Sequence, residues 1–186
     1  MAGIISGCVS RGSTILARVD GDLGDFNLRL DEILLRIARM NEERNSYKHG
    51  EYIISYILRS PGIITLSVAT ESLDQSIVFS FLENVSKKFI DHFRETAMQA
   101  VAYSKNEEFG FVIENEMKRA NDPNKVSDLH NQLDEVKQLM LKNVEDLLDR
   151  GEKLDCILVS TESLKDGANV LKLRARMVYN YEWFVS

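Results

Sequence analysis

The sequence contains few of the residues that stabilise small secreted or metal-binding proteins. Among 186 residues there are only two cysteines and two prolines. Cys8 and Cys156 lie far apart and match no metal-binding or redox spacing, and no secretory signal is present, so we expect a reducing, cytosolic compartment. The low proline content leaves room for long helices.

Long apolar runs and an excess of positive charge are absent as well. No run approaches the roughly 18 apolar residues that a membrane-spanning helix needs, and neither terminus carries a lipidation signal. The formal net charge is -6, and without a dense Lys/Arg cluster this argues against nucleic acid as a partner. A content of 44% hydrophobic and 28% charged residues is typical of a soluble globular protein.

The first 120 residues mix strand and helix periods. Two strand pairs are predicted around the turns at 11–13 and 60–62, where Gly12, Pro61 and Gly62 suit tight turns. Three helices are predicted from apolar residues at helical spacing, and their order with the strands favours an α+β domain with helices covering an antiparallel sheet. The helical residues are Leu30, Ile33, Leu34, Ile37 and Met40; then Ile77, Phe81, Leu82, Val85, Phe89 and Phe93 after a capping box of Ser72 and Gln75; then 107–117.

A change of period follows the segment 119–125, where Asn-Asp-Pro disfavours a continuing helix. From Val126 onward, alternating steps of three and four residues predict a coiled-coil seam, and 13 of its 16 positions are apolar. A single helix cannot hide such a stripe from water, so we expect partner helices to complete it. The seam positions are Val126, Leu129, Leu133, Val136, Met140, Asn143, Leu147, Arg150, Leu154, Ile157, Thr161, Leu164, Ala168, Leu171, Ala175 and Val178.

Arg150 is the costliest residue of this seam. An unpaired guanidinium in a coiled coil costs several kcal/mol, whereas a polar seam residue with satisfied partners fixes the register. Arg150 therefore predicts polar acceptors on the facing helices. The alternative is a defect in an ordinary coiled coil, with an arginine that extends its charge to solvent.

Residues 126–184 resemble an R-SNARE motif through the runs around Asn143, Arg150-Gly151-Glu152-Lys153-Leu154 and Thr161-Glu162-Ser163-Leu164. Upstream, the segments 10–18, 47–52 and 106–110 are similar to the longin domain of long vesicle-associated membrane proteins. The resemblance implies a longin domain at 1–118, a linker at 119–125 and an R-SNARE coiled-coil motif at 126–184. It also implies a profilin-like fold with a five-stranded antiparallel sheet, followed by a long SNARE helix.

The resemblance also implies a mechanism. An R-SNARE pairs with three Q-SNARE helices in a parallel four-helix bundle that drives fusion of a vesicle with its target membrane. Arg150 would form the central ionic layer with three glutamines, and the other seam positions would form the core layers. In this family the longin domain can fold back on the SNARE helix through a groove between its first helix and third strand, and it also binds sorting adaptors. Ile33, Ile37 and Tyr47 are candidates for that groove.

The C-terminal residues fit a position beside a membrane. Basic residues precede aromatic ones there, as is expected just outside a bilayer, and we expect a transmembrane anchor to follow in the natural protein. The alternative is that the aromatic residues extend the bundle. The implied location is the cytosolic face of vesicle, endosomal, lysosomal or plasma membranes. The membrane-proximal residues are Lys172, Arg174, Arg176, Trp183 and Phe184.

No catalytic, metal or cofactor site is predicted. The run 20–25 lacks the glycine and the closing glutamate of a calcium loop, and His49, His92 and His130 share no ligand spacing. The chain is interpreted as a non-enzyme. Two rival functions remain: a longin-containing trafficking adaptor or tether whose coiled coil is a scaffold, and a small-molecule-binding regulatory domain with a helical dimerisation tail.

Overall fold

The order of strands and helices agrees with an α+β domain. The computed structural model of the chain describes residues 2–21, 30–40, 42–59, 61–123 and 141–149. The strands are β1 (Ile4–Arg11), β2 (Thr14–Asp20), β3 (Arg44–His49), β4 (Tyr52–Arg59), β5 (Ile63–Thr70) and β6 (Lys142–Asn143). The helices are α1 (Leu30–Ile37), α2 (Gln75–Phe93), α3 (Asn106–Ala120) and α4 (Val144–Asp149).

The sheet has the strand order β2-β1-β5-β4-β3-β6. The first five strands are antiparallel, as predicted, and β6 adds a sixth that pairs parallel with β3. Gly12 and Gly62 occupy the two predicted turns with φ of 54° and 86°, a left-handed conformation that favours glycine. The two turns lie side by side, because the Gly12 N–H donates to the Gly62 carbonyl at 3.0 Å.

Helices cover both faces of the sheet. Successive strand residues point to opposite faces, so β5 supplies Ile63 to one core and Ile64 to the other. α2 and α3 pack on the first face, where all six predicted apolar residues of α2 are buried. α1 packs on the second face with α4. β5 is buried along almost its whole length because it lies between these two cores.

Two residues of β1 illustrate how tightly the cores are packed. A Cβ at Gly7 would lie 2.9 Å from Phe81 Cζ and 3.0 Å from Ile113 Cγ2, so glycine allows the helices to approach the sheet. Its neighbour Cys8 is fully buried on the other face, and burial raises the pKa of its thiol to about 12. Cys8 is therefore a protonated core residue at neutral pH.

The N-terminus of α2 differs from the predicted capping box. The N-cap is Asp74, whose carboxylate accepts a hydrogen bond from the Ser76 N–H at 2.8 Å. The Gln75 side-chain oxygen instead accepts from the Ser46 and Ser55 hydroxyls at 3.0 and 3.3 Å. The capping-box prediction was wrong because these strand hydroxyls, which are distant in sequence, bind the Gln75 amide oxygen.

α3 extends further than its apolar pattern predicts and includes Arg119 and Ala120, the first two residues of the expected linker. Ala120 is buried in the core on that face. The helix ends where Pro123 disfavours a helical conformation at the residue before it. Just beyond the end, the Asn121 side chain accepts from the Ile4 N–H at 2.7 Å and donates to the Ile4 carbonyl at 3.0 Å. This amide pair joins the end of α3 to the start of the sheet.

The two edges of the sheet are covered by different parts of the chain. Along β2, the Ile15 and Leu16 carbonyls accept from the Tyr103 and Lys105 N–H groups at 2.8 and 3.1 Å. The Arg18 N–H donates to Asn106 Oδ1 at 2.8 Å. This covers the β2 edge with the start of α3 and the loop before it, which prevents pairing with another strand. The opposite edge, β3, receives β6.

Across the described ranges, no helix is both long and apolar enough to cross a membrane.

Candidate functional site

The candidate site is a groove between α1 and β3. Ile33 and Ile37 project from α1 onto the sheet, and Tyr47 projects from β3 on the same face. All three are buried and lie in one apolar cluster with Leu34 and Ile54. The structure thus brings together the three residues predicted for the longin groove, and their function stays a prediction.

The floor of the groove is fixed by two tyrosines. The rings of Tyr47 and Tyr56 stack with centroids 6.4 Å apart, and both hydroxyls donate to the Met40 sulfur at 3.7 and 3.6 Å. Burial raises the pKa of the Tyr56 hydroxyl, with smaller contributions from Tyr47 and Glu42. Tyr56 therefore remains a neutral donor at every physiological pH, and the floor keeps its shape.

Polar neighbours of Tyr47 do not interrupt the groove. The Ser46 hydroxyl points to the α2 face, where it contacts Ser55 at 2.8 Å. Asn45 lies at the end of the groove and donates its amide to the Glu42 carboxylate. Alternation along β3 therefore turns Ser46 away from the apolar surface, whereas Asn45 shares the face of Tyr47 and has its amide bound by Glu42.

The segment 141–149 occupies this groove. Lys142 pairs with Tyr47 and Asn143 with Lys48 in parallel register, which extends the sheet at the β3 edge. α4 follows at once and contacts both α1 and β3. Val144 is 0% exposed and Leu147 is 1% exposed, and both belong to the cluster that contains the groove residues. The segment therefore adds a short strand and two buried aliphatic side chains.

An ion pair and a histidine–carboxylate contact flank the docked segment. Lys142 Nζ lies 3.2 Å from Glu42 Oε1 and 3.3 Å from Oε2. His49 Nδ1 lies 3.7 Å from Glu145 Oε1, with both side chains partly exposed. Exposed pairs of this kind contribute about 0–1 kcal/mol each. Most of the docking free energy therefore comes from the two aliphatic side chains, at roughly 1.5–3 kcal/mol each.

The structure differs from the predicted continuous helix at Lys142 and Asn143, which form a strand. A strand forms here because the β3 edge offers backbone donors and acceptors that replace the hydrogen bonds of a helical turn. Residues 144–149 are helical, as predicted. At 142–143 the helical period therefore did not predict the observed conformation.

Of the predicted seam residues, Asn143 and Leu147 are described by the structure, and only Leu147 is buried in the groove. Arg150 and every other seam position lie outside the described residues, as do all five predicted membrane-proximal residues.

The sequence reading missed Val144, Lys142 and Glu42 as site residues. Val144 carries a detectable signal, because Val144, Leu147 and Leu148 follow helical spacing on a face that shares only Leu147 with the seam. The Glu42 to Lys142 contact carries no local signal, because the two residues are 100 positions apart.

Comparisons with known proteins identify the family of the two parts of the chain. A family model described as Longin, a regulated-SNARE-like domain, matches residues 13–113, and the Synaptobrevin family model matches residues 125–185. Vesicle-associated membrane protein 7 of Mus musculus is 32% identical over 176 residues, which covers 93% of this chain and 79% of that protein. Vesicle-associated membrane protein 712 of Arabidopsis thaliana is 27% identical over 184 residues, covering 97% and 84%.

The Longin match over the sheet and its helices, followed by the Synaptobrevin match, identifies a longin domain followed by a SNARE motif. The chain belongs to the longin-type R-SNARE family. It acts in vesicle fusion through SNARE partners and associates with vesicles or endomembranes. SNARE family proteins are not enzymes.

Proposed function

We propose that the chain alternates between a closed form, in which the longin groove holds 141–149, and an assembled form with three Q-SNARE helices. In the assembled form the seam from Val126 to Val178 is buried by the partner helices, which reside on the opposing membrane. The seam spacing supports this, because its apolar stripe requires a cover in either form.

One observation carries the proposal. Leu147 is a seam position by its spacing, and in the structure it is 1% exposed against α1 and β3. One side chain cannot be buried in the groove and in a four-helix bundle at the same time. The longin domain therefore competes with the Q-SNAREs for this part of the motif, and differential affinity decides which form is populated.

Arg150 sets the register of the proposed bundle. Three glutamine side chains, one from each partner helix, would accept hydrogen bonds from its guanidinium. A slip of one heptad would place a leucine opposite the glutamines and leave the guanidinium without acceptors, which penalises misaligned bundles. Assembly from Val126 toward Val178 would draw the C-terminal residues toward the opposing membrane.

The finer assignments extend this proposal. We assign the protein to the cytosolic face of endosomal, lysosomal or plasma membranes and expect sorting adaptors to bind its longin domain. The membrane-proximal residues between Lys172 and Phe184 would meet the lipid headgroups. No catalytic activity, cofactor or nucleic acid is part of the proposed mechanism.

Two measurements test the proposal separately. For closure, amide exchange of 144–149 should be slow in the whole chain and fast in the fragment 126–184. Equal exchange in both would reject the closed form. For assembly, mixing the chain with three Q-SNARE helices should give an SDS-resistant four-helix complex. If no such complex forms with any Q-SNARE set, the chain is better described as a tether.

A further inference from the structure

An ion pair joins the docked segment to the start of β3. Lys142 Nζ approaches both oxygens of the Glu42 carboxylate, and the side chains are 27% and 44% exposed. We propose that this pair is a latch that selects the register in which 141–149 docks, and that it acts in the closed form only. The inference rests on the proposed closed form and names a residue pair that controls it.

Glu42 is held in position by its neighbours. The Asn45 side-chain amide donates to the same carboxylate, and the Glu42 carbonyl accepts from the Tyr56 hydroxyl at 3.5 Å. The next carbonyl, that of Glu43, accepts from the Leu58 N–H at 2.6 Å. The carboxylate therefore presents a localised negative charge at the entrance to β3, since its backbone is fixed to β4.

The short strand β6 needs a side-chain contact that fixes its register against β3. β6 comprises two residue pairs, Tyr47 with Lys142 and Lys48 with Asn143, and backbone hydrogen bonds do not distinguish one residue from the next. A slip of one residue would turn successive side chains to the opposite face. Because α4 begins directly after β6, the slip would also displace Val144 and Leu147 from the groove.

The Lys142 charge favours the observed register over these slips. Lys142 is the only basic residue between 141 and 149, and this stretch also contains Glu145, Asp146 and Asp149. A slip of one position would place Leu141 or Asn143 opposite Glu42, and a slip of three or four would bring a carboxylate there. Among the residues 141–149, the observed register alone places a cation against the fixed carboxylate; slips of one lose this attraction, and slips of three or four add repulsion between like charges.

The assembled form does not use this pair. Lys142 lies off the seam, next to the seam position Asn143, and Glu42 lies outside the coiled-coil motif. Lys142 is moreover a strand residue when docked, whereas the seam spacing requires a helix at the same place. The latch therefore breaks when the motif becomes helical, and its loss favours release without weakening the bundle.

The test is a charge swap in the whole chain. Glu42→Lys and Lys142→Glu should each speed amide exchange of 144–149 by on the order of two- to fivefold, and the double variant should restore slow exchange. The single effects should shrink in 1 M salt. The matched control is Glu114→Lys, Lys118→Glu and their swap, an exposed ion pair on α3 at 2.6 Å. These controls should leave exchange of 144–149 unchanged.

The outcomes separate the latch from the closed form. Protection of 144–149 in the unsubstituted chain, with no effect of the single variants, would overturn the latch and leave closure standing. Single effects without restoration in the double variant would also overturn it, because the effect would then be one of net charge. Fast exchange in the unsubstituted chain would remove closure and the latch together.

A second measurement concerns assembly. The single variants should speed assembly with Q-SNAREs and leave the melting temperature of the complex unchanged. A lowered melting temperature would contradict a role confined to the closed form.

Discussion

Val144 and Leu147 are buried side by side, but only Leu147 occupies a seam position. Leu147 is therefore shared between the proposed closed and assembled forms, whereas Val144 contributes its buried surface to the closed form. A substitution at Val144 therefore destabilises only the closed form, whereas a substitution at Leu147 destabilises both the closed and the assembled form. This difference makes Val144 the more informative position for measuring closure.

Val144→Ser should open the chain. Loss of one buried aliphatic side chain weakens docking by about 2 kcal/mol, or roughly 30-fold in the closing equilibrium. Amide exchange of the α4 residues should rise by this order, and the rate of assembly with Q-SNAREs should rise with it. Asp146→Ser, on the exposed side of the same helix, is the matched control. Unchanged exchange in Val144→Ser would mean that this contact does not hold the segment.

The family resemblance supplied the groove candidates and the SNARE motif as their occupant, but neither it nor spacing predicted which segment of the motif would dock. Ile33 and Ile37 also follow from the apolar period of α1, and the family resemblance alone supplied Tyr47. Leu147 was predicted as a seam residue that packs against Q-SNARE helices, whereas in the structure it packs against α1 and β3. The contact between Glu42 and Lys142 joins segments 100 residues apart, and no local pattern encodes such a contact.

At the scale of elements, the helices of the first 120 residues and the strands beside the two predicted turns were predictable from apolar residues and turn residues, whereas the polar strand β3 was not predicted from spacing. Helix and strand ends that depend on residues distant in sequence were not predictable. Gln75 looked like half of a capping box until the Ser46 and Ser55 hydroxyls were placed beside it. Lys142 and Asn143 carry a helical period, yet they form a strand because an open sheet edge competes for their backbone.

The junction between α3 and β1 gives a prediction at this scale. Asn121→Ala removes both hydrogen bonds to the Ile4 backbone, and we expect the free energy of unfolding to fall by about 1–2 kcal/mol. Denaturant unfolding measures this change. Asn115→Ala, on the same helix, is the control and should have a smaller effect. A loss confined to Asn115→Ala would show that the Asn121 amide pair contributes nothing to stability.

At the scale of the whole molecule, one domain both folds on its own core and offers a groove to the motif that follows it. The α+β class and the family were predictable, because strand pairs, apolar helix faces and the seam are all periodic patterns. The proposed two-state use of a single segment did not follow from periodicity, since one sequence period specifies one conformation, and only the family resemblance suggested it. The docked state depends on packing against α1 and β3, which periodicity does not describe.

Arg150→Leu tests the assembled form at this scale. A leucine fills the seam well, so helicity of the complex, measured by circular dichroism, should be preserved. Selection among Q-SNARE helices should become looser, because no guanidinium then requires three glutamines. Competition between matched and mismatched Q-SNARE sets measures this selectivity, with Lys153→Leu, off the seam, as the control. Unchanged selectivity in Arg150→Leu would count against the register role.

The two edges of the sheet differ in accessibility, which limits how copies of this protein can associate through strand pairing. When Q-SNARE partners bind residues 141–149, the β3 edge loses its pairing with β6. The far edge stays blocked by hydrogen bonds from Tyr103 and Lys105. Two such molecules can therefore join through one edge each, but a third finds no free strand to add to. Crowded on a vesicle surface, opened copies are thus protected by their own topology from growing into fibres.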